Sequence, residues 1–292
     1  MLTPRESTGF TLVEILIGLV VAAIVGTAVT TIAVRHEHLA FALDQITLSR
    51  RALREGADAL GYDLRAIAPA RKAIYDMSSS YVEFRLEVGF ALLCDVDSSR
   101  ALLVVPARAA GSANLTSWIV APEPGDTAMI FAAHTDADSA RWYFRAIASA
   151  PATGRECAKE FVLAGASAPA VGIRLDAPLP PDVGVGAVLR FVRRARYELY
   201  KAADGAWYLG FRDCLLTRST PCATVQPVSG PYAPGGVHFR YLDSTGTSTA
   251  DPLRVARIDV VLRVMSAGRL HVPGIKSGTF TDSTLFTISP RH

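Results

Sequence analysis

Charged residues are almost absent from one long stretch near the start of the sequence. Between Phe10 and Val34 only Glu14 is charged, and the other positions are mainly apolar or small. This run is longer than the apolar core of a secretory signal peptide, which has about 7–15 residues. It exceeds the roughly 20 residues that a helix needs to cross a bilayer. The sequence therefore predicts a single transmembrane helix segment over residues 10–34.

The sequence also lacks the common signatures of catalysis and nucleotide binding. It has no P-loop, no G-x-G-x-x-G after a predicted strand, no G-x-S-x-G and no H-E-x-x-H. The net charge of +3 is too small to indicate a nucleic-acid partner. The pairs Asp95/Asp97 and Asp136/Asp138 lack the later glutamate of an EF-hand loop, so turns explain them better. We expect no enzymatic activity, no catalytic residue, no cofactor, no metal site and no nucleic-acid partner.

Cysteine is scarce, and its four positions are not spaced as metal ligands. The residues Cys94, Cys157, Cys214 and Cys222 include no C-x-x-C pair. If most of the chain lies outside the cytoplasm, an even number predicts disulfides, and four cysteines allow three pairings. We favour Cys214–Cys222, because these two close a short loop that contains Pro221, with Cys94–Cys157 as the remaining pair. The alternative is that some of them are free buried thiols.

The apolar run follows a short polar leader in a pattern that is specific. Residues 1–9, MLTPRESTG, end in Gly9 and are followed by Phe10, Thr11, Leu12, Val13 and Glu14. This pattern resembles the processing motif of type IV prepilins, a glycine followed by F-T-L-x-E and a long apolar helix. The resemblance implies cleavage between Gly9 and Phe10 by a prepilin peptidase on the cytoplasmic side. It also implies N-methylation of Phe10.

Glu14 requires an explanation, because a carboxylate inside a bilayer costs on the order of 2.5–3.5 kcal/mol on insertion scales. Cleavage after Gly9 would create a new ammonium group at Phe10. If a neighbouring subunit places its ammonium against Glu14, the pair offsets two desolvation costs and sets the register between subunits. The alternative is a carboxylate near the membrane edge that snorkels or is protonated.

After Val34 the apolar pattern becomes a stripe over residues 35–68. The spacing of three and four predicts that an amphipathic helix continues to Ala68, before Pro69, and packs on another element. No proline occurs between Phe10 and Ile67 to interrupt it. The stripe is formed by Leu39, Leu43, Ile46, Leu53, Ala57, Leu60, Leu64 and Ile67.

From Pro69 to His292 apolar residues recur with a period of two, which predicts half-buried antiparallel strands. The segments YVEFRLEV (81–88), VHFRYLD (237–243) and RIDVVLRV (257–264) show this alternation. Asp204-Gly205 lies between two apolar-aromatic runs and predicts a hairpin. The arginines of RFVRRARYELY are interpreted as a solvated strand face; they are Arg190, Arg193, Arg194 and Arg196. The fold class is α+β, a long N-terminal helix packed on a β-rich domain.

The layout of this β-rich domain resembles the C-terminal half of minor pilins of the PilW type, and of the J-type minor pseudopilins of type II secretion. The resemblance implies a structural subunit for assembly or initiation of a type IV pilus-like filament. Its partners would be the prepilin peptidase and methylase, other pilins or pseudopilins, the assembly platform and lipid of the inner membrane. The chain would span the inner membrane once, with its C-terminal domain extracytoplasmic, before it enters the filament or its tip. The alternatives are a type II secretion pseudopilus component and a membrane-anchored extracytoplasmic binding protein.

Overall fold

The computed structural model describes residues 11–107, 115–132, 141–158, 169–214, 222–270 and 278–291. One helix, α1, spans Leu12–Ala66 without interruption. It ends two residues before the predicted Ala68, because Ile67 already has extended backbone angles and Ala68 precedes Pro69. The residue before a proline is disfavoured in the helical region by contact with the proline ring. A short 3-10 helix, Pro69–Arg71, then leads into the strands.

Fourteen strands follow in the described part of the chain, with a second 3-10 helix at Pro252–Arg254 before β13. They are β1 (Ile74–Met77), β2 (Tyr81–Leu92), β3 (Asp95–Val96), β4 (Leu102–Pro106), β5 (Thr116–Trp118), β6 (Thr127–Ala132), β7 (Arg141–Ala146), β8 (Ala152–Glu156), β9 (Pro169–Arg174), β10 (Val188–Lys201), β11 (Trp207–Asp213), β12 (Val225–Leu242), β13 (Arg257–Leu270) and β14 (Gly278–Ile288).

The strands form two sheets, and every pairing within them is antiparallel. The larger sheet has the order β1-β2-β10-β11-β12-β13-β14; β5 pairs with β2, and the β6–β7 hairpin pairs with β10. The smaller sheet has the order β3-β4-β9-β8. One long helix followed by antiparallel sheets confirms the predicted α+β class.

The main core lies between the second half of α1 and the larger sheet. The period-two prediction for RIDVVLRV is confirmed, since Ile258, Val260, Leu262 and Val264 are all fully buried. Each faces the helix side because alternate residues of a strand point to the same face. Residues of α1, β2, β10, β12 and β13 meet in this core. The helix is therefore held by apolar burial against several neighbouring strands.

The predicted hairpin is confirmed as β10 and β11, with Tyr200 opposite Tyr208. Gly205 has φ +82°, a left-handed conformation that glycine adopts without steric cost. The Asp204 carboxylate accepts hydrogen bonds from the Ala206 N–H and the Tyr208 hydroxyl. The turn is thus fixed by its own residues and sets the register of the two strands.

The predicted stripe on α1 is correct only for its last part. Leu53, Leu60, Leu64 and Ile67 are buried, whereas Leu39 and Leu43 are exposed. Small residues line the helix where it approaches the sheet, and the stripe did not include them. The small residues that are buried are Ala42, Ser49, Ala52, Gly56 and Gly61.

Candidate functional site

The first turn of α1 is built by the residues of the prepilin-like motif. Thr11 is the N-cap, and its hydroxyl accepts a hydrogen bond from the Glu14 N–H at 3.3 Å. The Glu14 carboxylate accepts in return from the Thr11 N–H at 2.9 Å and from its hydroxyl at 3.0 Å. This reciprocal arrangement is a capping box, which satisfies backbone donors that the helix start leaves unpaired. Glu14 therefore has a partner within its own chain; Gly9 and Phe10 lie outside the described residues.

The first half of α1 is apolar, and the other described residues of the chain do not cover it. Leu16 is 59% exposed, and no residue between Thr11 and Phe41 is buried. In the described part of the chain α1 is the one helix long and apolar enough to cross a membrane. A core helix of a globular domain would have such a face covered. The exposure agrees with the predicted transmembrane segment, although the boundaries 1–9, 10–34, 35–68 and 69–292 stay predictions.

The threonines of this apolar half satisfy their hydroxyls within the helix. Thr30 donates to the Gly26 carbonyl at 2.8 Å, and Thr31 donates to the Thr27 carbonyl at 2.7 Å. Thr27 itself donates to the Ile24 carbonyl at 2.9 Å. Unpaired hydroxyls cost several kcal/mol in an apolar medium, of order 4–8 for transfer to cyclohexane. Their internal bonds make these residues compatible with a hydrocarbon environment.

The second half of α1 approaches the sheet most closely at Gly56. A Cβ there would lie 2.2 Å from the Tyr232 hydroxyl and 2.9 Å from the Ser229 hydroxyl. The Tyr232 hydroxyl donates to the Ala52 carbonyl at 2.9 Å and lies 2.7 Å from that of Ser229. Burial raises the pKa of Tyr232 to about 12. This polar contact joins the helix backbone to β12. The sequence signal that could have indicated it is the pair of small residues Ala52 and Gly56 on α1.

One further hydrogen bond joins α1 to the sheet near the end of the helix. The Tyr197 hydroxyl donates to the Asp63 carboxylate at 2.6 Å. Burial raises the pKa of Asp63, and the hydrogen bond from Tyr197 opposes this in part. Burial likewise raises the pKa of Tyr197, as does the adjacent Asp63 charge. The contact orients the helix on β10.

The structure contains two disulfides, Cys94–Cys157 and Cys214–Cys222, which is the pairing that the sequence favoured. The first joins the chain after β2 to the chain after β8, across 63 residues. The second closes a loop across 8 residues beyond β11. The carboxylate of Glu83 lies near Cys214 and Cys222. Those sulfurs are already bonded to each other, so they are not the thiolates that bind a metal.

The interpretation of the β10 arginines as a solvated face is wrong for Arg193 and holds only in part for Arg194 and Arg196, whose side chains are 34% and 26% exposed. Arg193 is 7% exposed and contacts both Asp126 carboxylate oxygens at 2.8 Å and Asp213 at 3.1 Å. Arg194 and Arg196 both bind the carboxylate of Glu83, which is 1% exposed. Arg190 alone is close to the interpretation, since its side chain is 45% exposed. Acidic partners that are distant in sequence make these positions structural, and a charge pattern cannot reveal them.

The two aspartate pairs differ in what the structure shows. Asp97 accepts hydrogen bonds from the Ser99 hydroxyl and the Leu102 N–H, which is the turn that was predicted. Asp136 and Asp138 lie outside the described residues. Asp95 accepts from the Val96 N–H, so it too is used by local backbone.

A comparison with protein-family models matches residues 5–30 to the prokaryotic N-terminal methylation motif. No curated protein and no solved structure matches the chain. The match covers residues 5–9 of the leader, the capping box and most of the uncovered apolar half of α1. The methylation motif and the long apolar helix that follows it together support a type IV pilin-like protein.

Proposed function

We propose that this chain is a minor pilin or minor pseudopilin, a non-enzymatic subunit of a type IV pilus-like filament. One observation carries the proposal: the apolar half of α1 starts in the methylation motif, and none of the residues that the structure describes covers it. Such a surface needs lipid before assembly and other apolar helices afterwards. In a filament the apolar helices of neighbouring subunits provide the second environment, and the chain does not need to refold.

The proposed sequence of events follows from the two halves of the helix. The inner membrane holds the first half, prepilin peptidase cuts between Gly9 and Phe10, and Phe10 is methylated. The assembly platform then brings the helix against those of other pilins or pseudopilins. The β domain, fixed to the second half of α1, is carried along outside the cytoplasm. The two disulfides support that location, because such bonds persist in oxidising compartments.

Glu14 has a place in this proposal beyond its capping box. Within the chain its carboxylate accepts two hydrogen bonds from Thr11, and carboxylate oxygens have further acceptor capacity. We assign that capacity to the N-terminal ammonium of a neighbouring subunit. The capping box then holds the carboxylate in position before the neighbour arrives.

The first test is N-terminal mass spectrometry of the full chain from a host with prepilin peptidase. We expect a chain that begins with N-methylated Phe10. A Gly9→Ala variant should keep the leader, whereas Gly18→Ala should be processed normally, because nothing lies within 4 Å of a Cβ at Gly18. A chain that still begins at Met1 would contradict the proposal and favour an anchored extracytoplasmic binding protein.

The second test separates the charge of Glu14 from its capping role. Glutamine also closes a capping box, so Glu14→Gln keeps the helix start and removes the charge. We expect both Glu14→Gln and Glu14→Ala to be processed but incorporated at least about tenfold less into filaments sheared from cells. A tenfold loss corresponds to roughly 1.4 kcal/mol. If Glu14→Gln were incorporated normally into filaments while Glu14→Ala was not, the role of Glu14 would be limited to capping the helix.

The PilW-type minor pilin is the finer form of the proposal, and a J-type component of type II secretion is its alternative. The order of strands supports both, since a hairpin and two long strands follow one another in β10 to β13. Deletion of the gene in its own host distinguishes them. Loss of surface pili with normal protein export would support the pilus, and the converse would support secretion.

A further inference from the structure

A cleft lies beside the C-terminal end of α1, away from the apolar half of the helix. It consists of a cavity of about 230 Å³ and an adjoining groove of about 840 Å³. Ala66, Glu87 and Arg291 line both parts, so the two spaces adjoin at these residues. Neither part belongs to the methylation motif or the transmembrane segment.

Positive charge is concentrated in the smaller cavity, which we call the arginine pocket. Its charged lining consists of Arg71, Arg85, Arg190 and Arg291 with one acidic residue, Glu87. The lining therefore has an excess of three positive charges. The end of α1 adds roughly half a negative charge, which is far too little to cancel it. Guanidinium groups match carboxylates with paired, directional hydrogen bonds, so the pocket is suited to an anionic group.

Two of these arginines are held in place before any ligand binds. Arg85 donates to the Lys72 carbonyl at 3.1 Å and lies 5.3 Å over the Phe144 ring. Arg190 lies 5.7 Å over the Trp142 ring and 3.7 Å from Glu87. Less side-chain entropy is lost on binding when a group is already positioned. These contacts restrict both guanidinium groups at the wall of the pocket.

Arg71 and Arg291 form the open side of the pocket. Both are exposed, and neither forms an ion pair with another residue of the described chain. The backbone N–H of Arg291 donates to the Ile67 carbonyl at 2.9 Å, which fixes this segment against the end of α1. Two guanidinium groups are thus available to close on an incoming anion.

The adjoining groove has a different chemical character. Its apolar lining includes Leu86, Val88, Phe90, Ile119, Val120 and Phe211. Ile119 is 72% exposed, which is costly for an isoleucine without a partner. Among the described residues, the groove's own charges are Asp63 and Arg65 with the shared Glu87 and Arg291, and these do not form a basic track along it. Single-stranded nucleic acid needs such a track, and a free anion has no use for the apolar part.

We propose that the cleft binds an extended acidic and apolar segment of a partner protein. An acidic side chain enters the arginine pocket, which at about 230 Å³ is smaller than the roughly 300–1,000 Å³ of small-molecule sites. Apolar side chains of the same segment cover Ile119 and its neighbours in the groove. Two features favour this occupant: the positive charge of the arginine pocket complements an acidic side chain, and the groove beside the pocket is apolar. The proposal does not depend on filament assembly, so cleft binding and N-terminal processing are separate tests.

The test measures binding of defined peptides to the full chain in zwitterionic nanodiscs. The probes are a fluorescein-labelled eight-residue peptide of alternating Glu and Leu, and its counterpart with Gln in place of Glu. We expect only the acidic peptide to bind. The double variant Arg71→Gln/Arg291→Gln should weaken binding roughly tenfold, as two charge pairs of about 0.7 kcal/mol each would. Glu87→Gln should tighten it, because this change removes the acidic group among the described lining residues of the pocket.

A matched control keeps the overall charge change and leaves the cleft intact. Arg54→Gln/Arg263→Gln removes two exposed arginines that do not line the cleft, and it should bind the peptide as the native chain does. Equal weakening in this control, or equal binding of the Gln peptide, would overturn the proposal. Tighter binding of inorganic phosphate or of an oligothymidylate, with the same dependence on Arg71 and Arg291, would also overturn it in favour of those ligands.

Discussion

The two halves of α1 have the same helical backbone and opposite surroundings. From Leu12 to Phe41 no residue is buried, although most of the segment is apolar. From Ala42 onward one face is buried on the larger sheet, with small residues where the backbone comes closest. The comparison shows that hydrophobicity does not decide where this helix packs. The covered half is the less apolar one, and its shape complements β12 and β13.

The described part of the chain leaves the first half uncovered, which agrees with an interface outside the chain. If this division is correct, equivalent substitutions in the two halves should have unequal effects on the β domain. The first prediction below tests this directly, and the other two test how the second half packs. All three use urea unfolding of the full chain in mild detergent, followed by near-UV circular dichroism.

The largest difference is expected between Leu60→Ala and Leu16→Ala. Leu60 is fully buried in the core under α1, and truncating such a leucine costs about 2–5 kcal/mol of unfolding free energy. Leu16 is exposed, so its truncation should leave the unfolding free energy of the β domain unchanged. Equal losses in the two variants would show that the halves unfold together and would break the comparison.

An intermediate difference is expected between two buried glycines of the packed half. Gly56→Ala places a methyl group against Tyr232 and Ser229, and overpacking of this kind costs about 1–3 kcal/mol. Gly61→Ala meets nothing within 4 Å and should stabilise the helix by up to about 1 kcal/mol. If Gly56→Ala also raised the free energy of unfolding, the approach of the helix to the sheet at Gly56 would be looser than the contacts indicate.

The smallest effect concerns the pH dependence of the Asp63–Tyr197 contact. The pKa of Asp63 is raised above its ordinary value of 3.8 in the folded chain. Because the folded pKa is raised, the contribution of Asp63 to the free energy of unfolding is fully present below its ordinary pKa of 3.8. This contribution is lost as the pH rises through the folded pKa. Asp63→Asn should remove this loss, so the variant gains stability relative to the native chain as the pH rises from 3 to 7. Asp44→Asn, an exposed change on the same helix, is the control; a difference that stays constant with pH would contradict the prediction.

Strands and turns were predictable because their information is local. The alternation of Val237, Phe239 and Tyr241 gives a strand with one buried face, and Asp204-Gly205 gives the hairpin turn. The smaller sheet was not predicted, because its strands β3, β4, β8 and β9 are short and its central pair, β4 and β9, joins distant parts of the sequence. Arg193 was misjudged for the same reason, since Asp126 lies 67 residues away.

The sequence by itself determined the processing motif, the apolar helix segment and the antiparallel character of the β domain. Each of these features depends on neighbouring residues or on a short repeat of apolar positions, and both can be read directly from the sequence. Only the tertiary structure decided where on α1 the sheet packs, which arginines are buried with acids, and that a basic pocket adjoins an apolar groove. Those features depend on side chains that folding brings together from distant positions. The free energy of their contacts depends on shape complementarity and desolvation, which a local sequence pattern does not reveal.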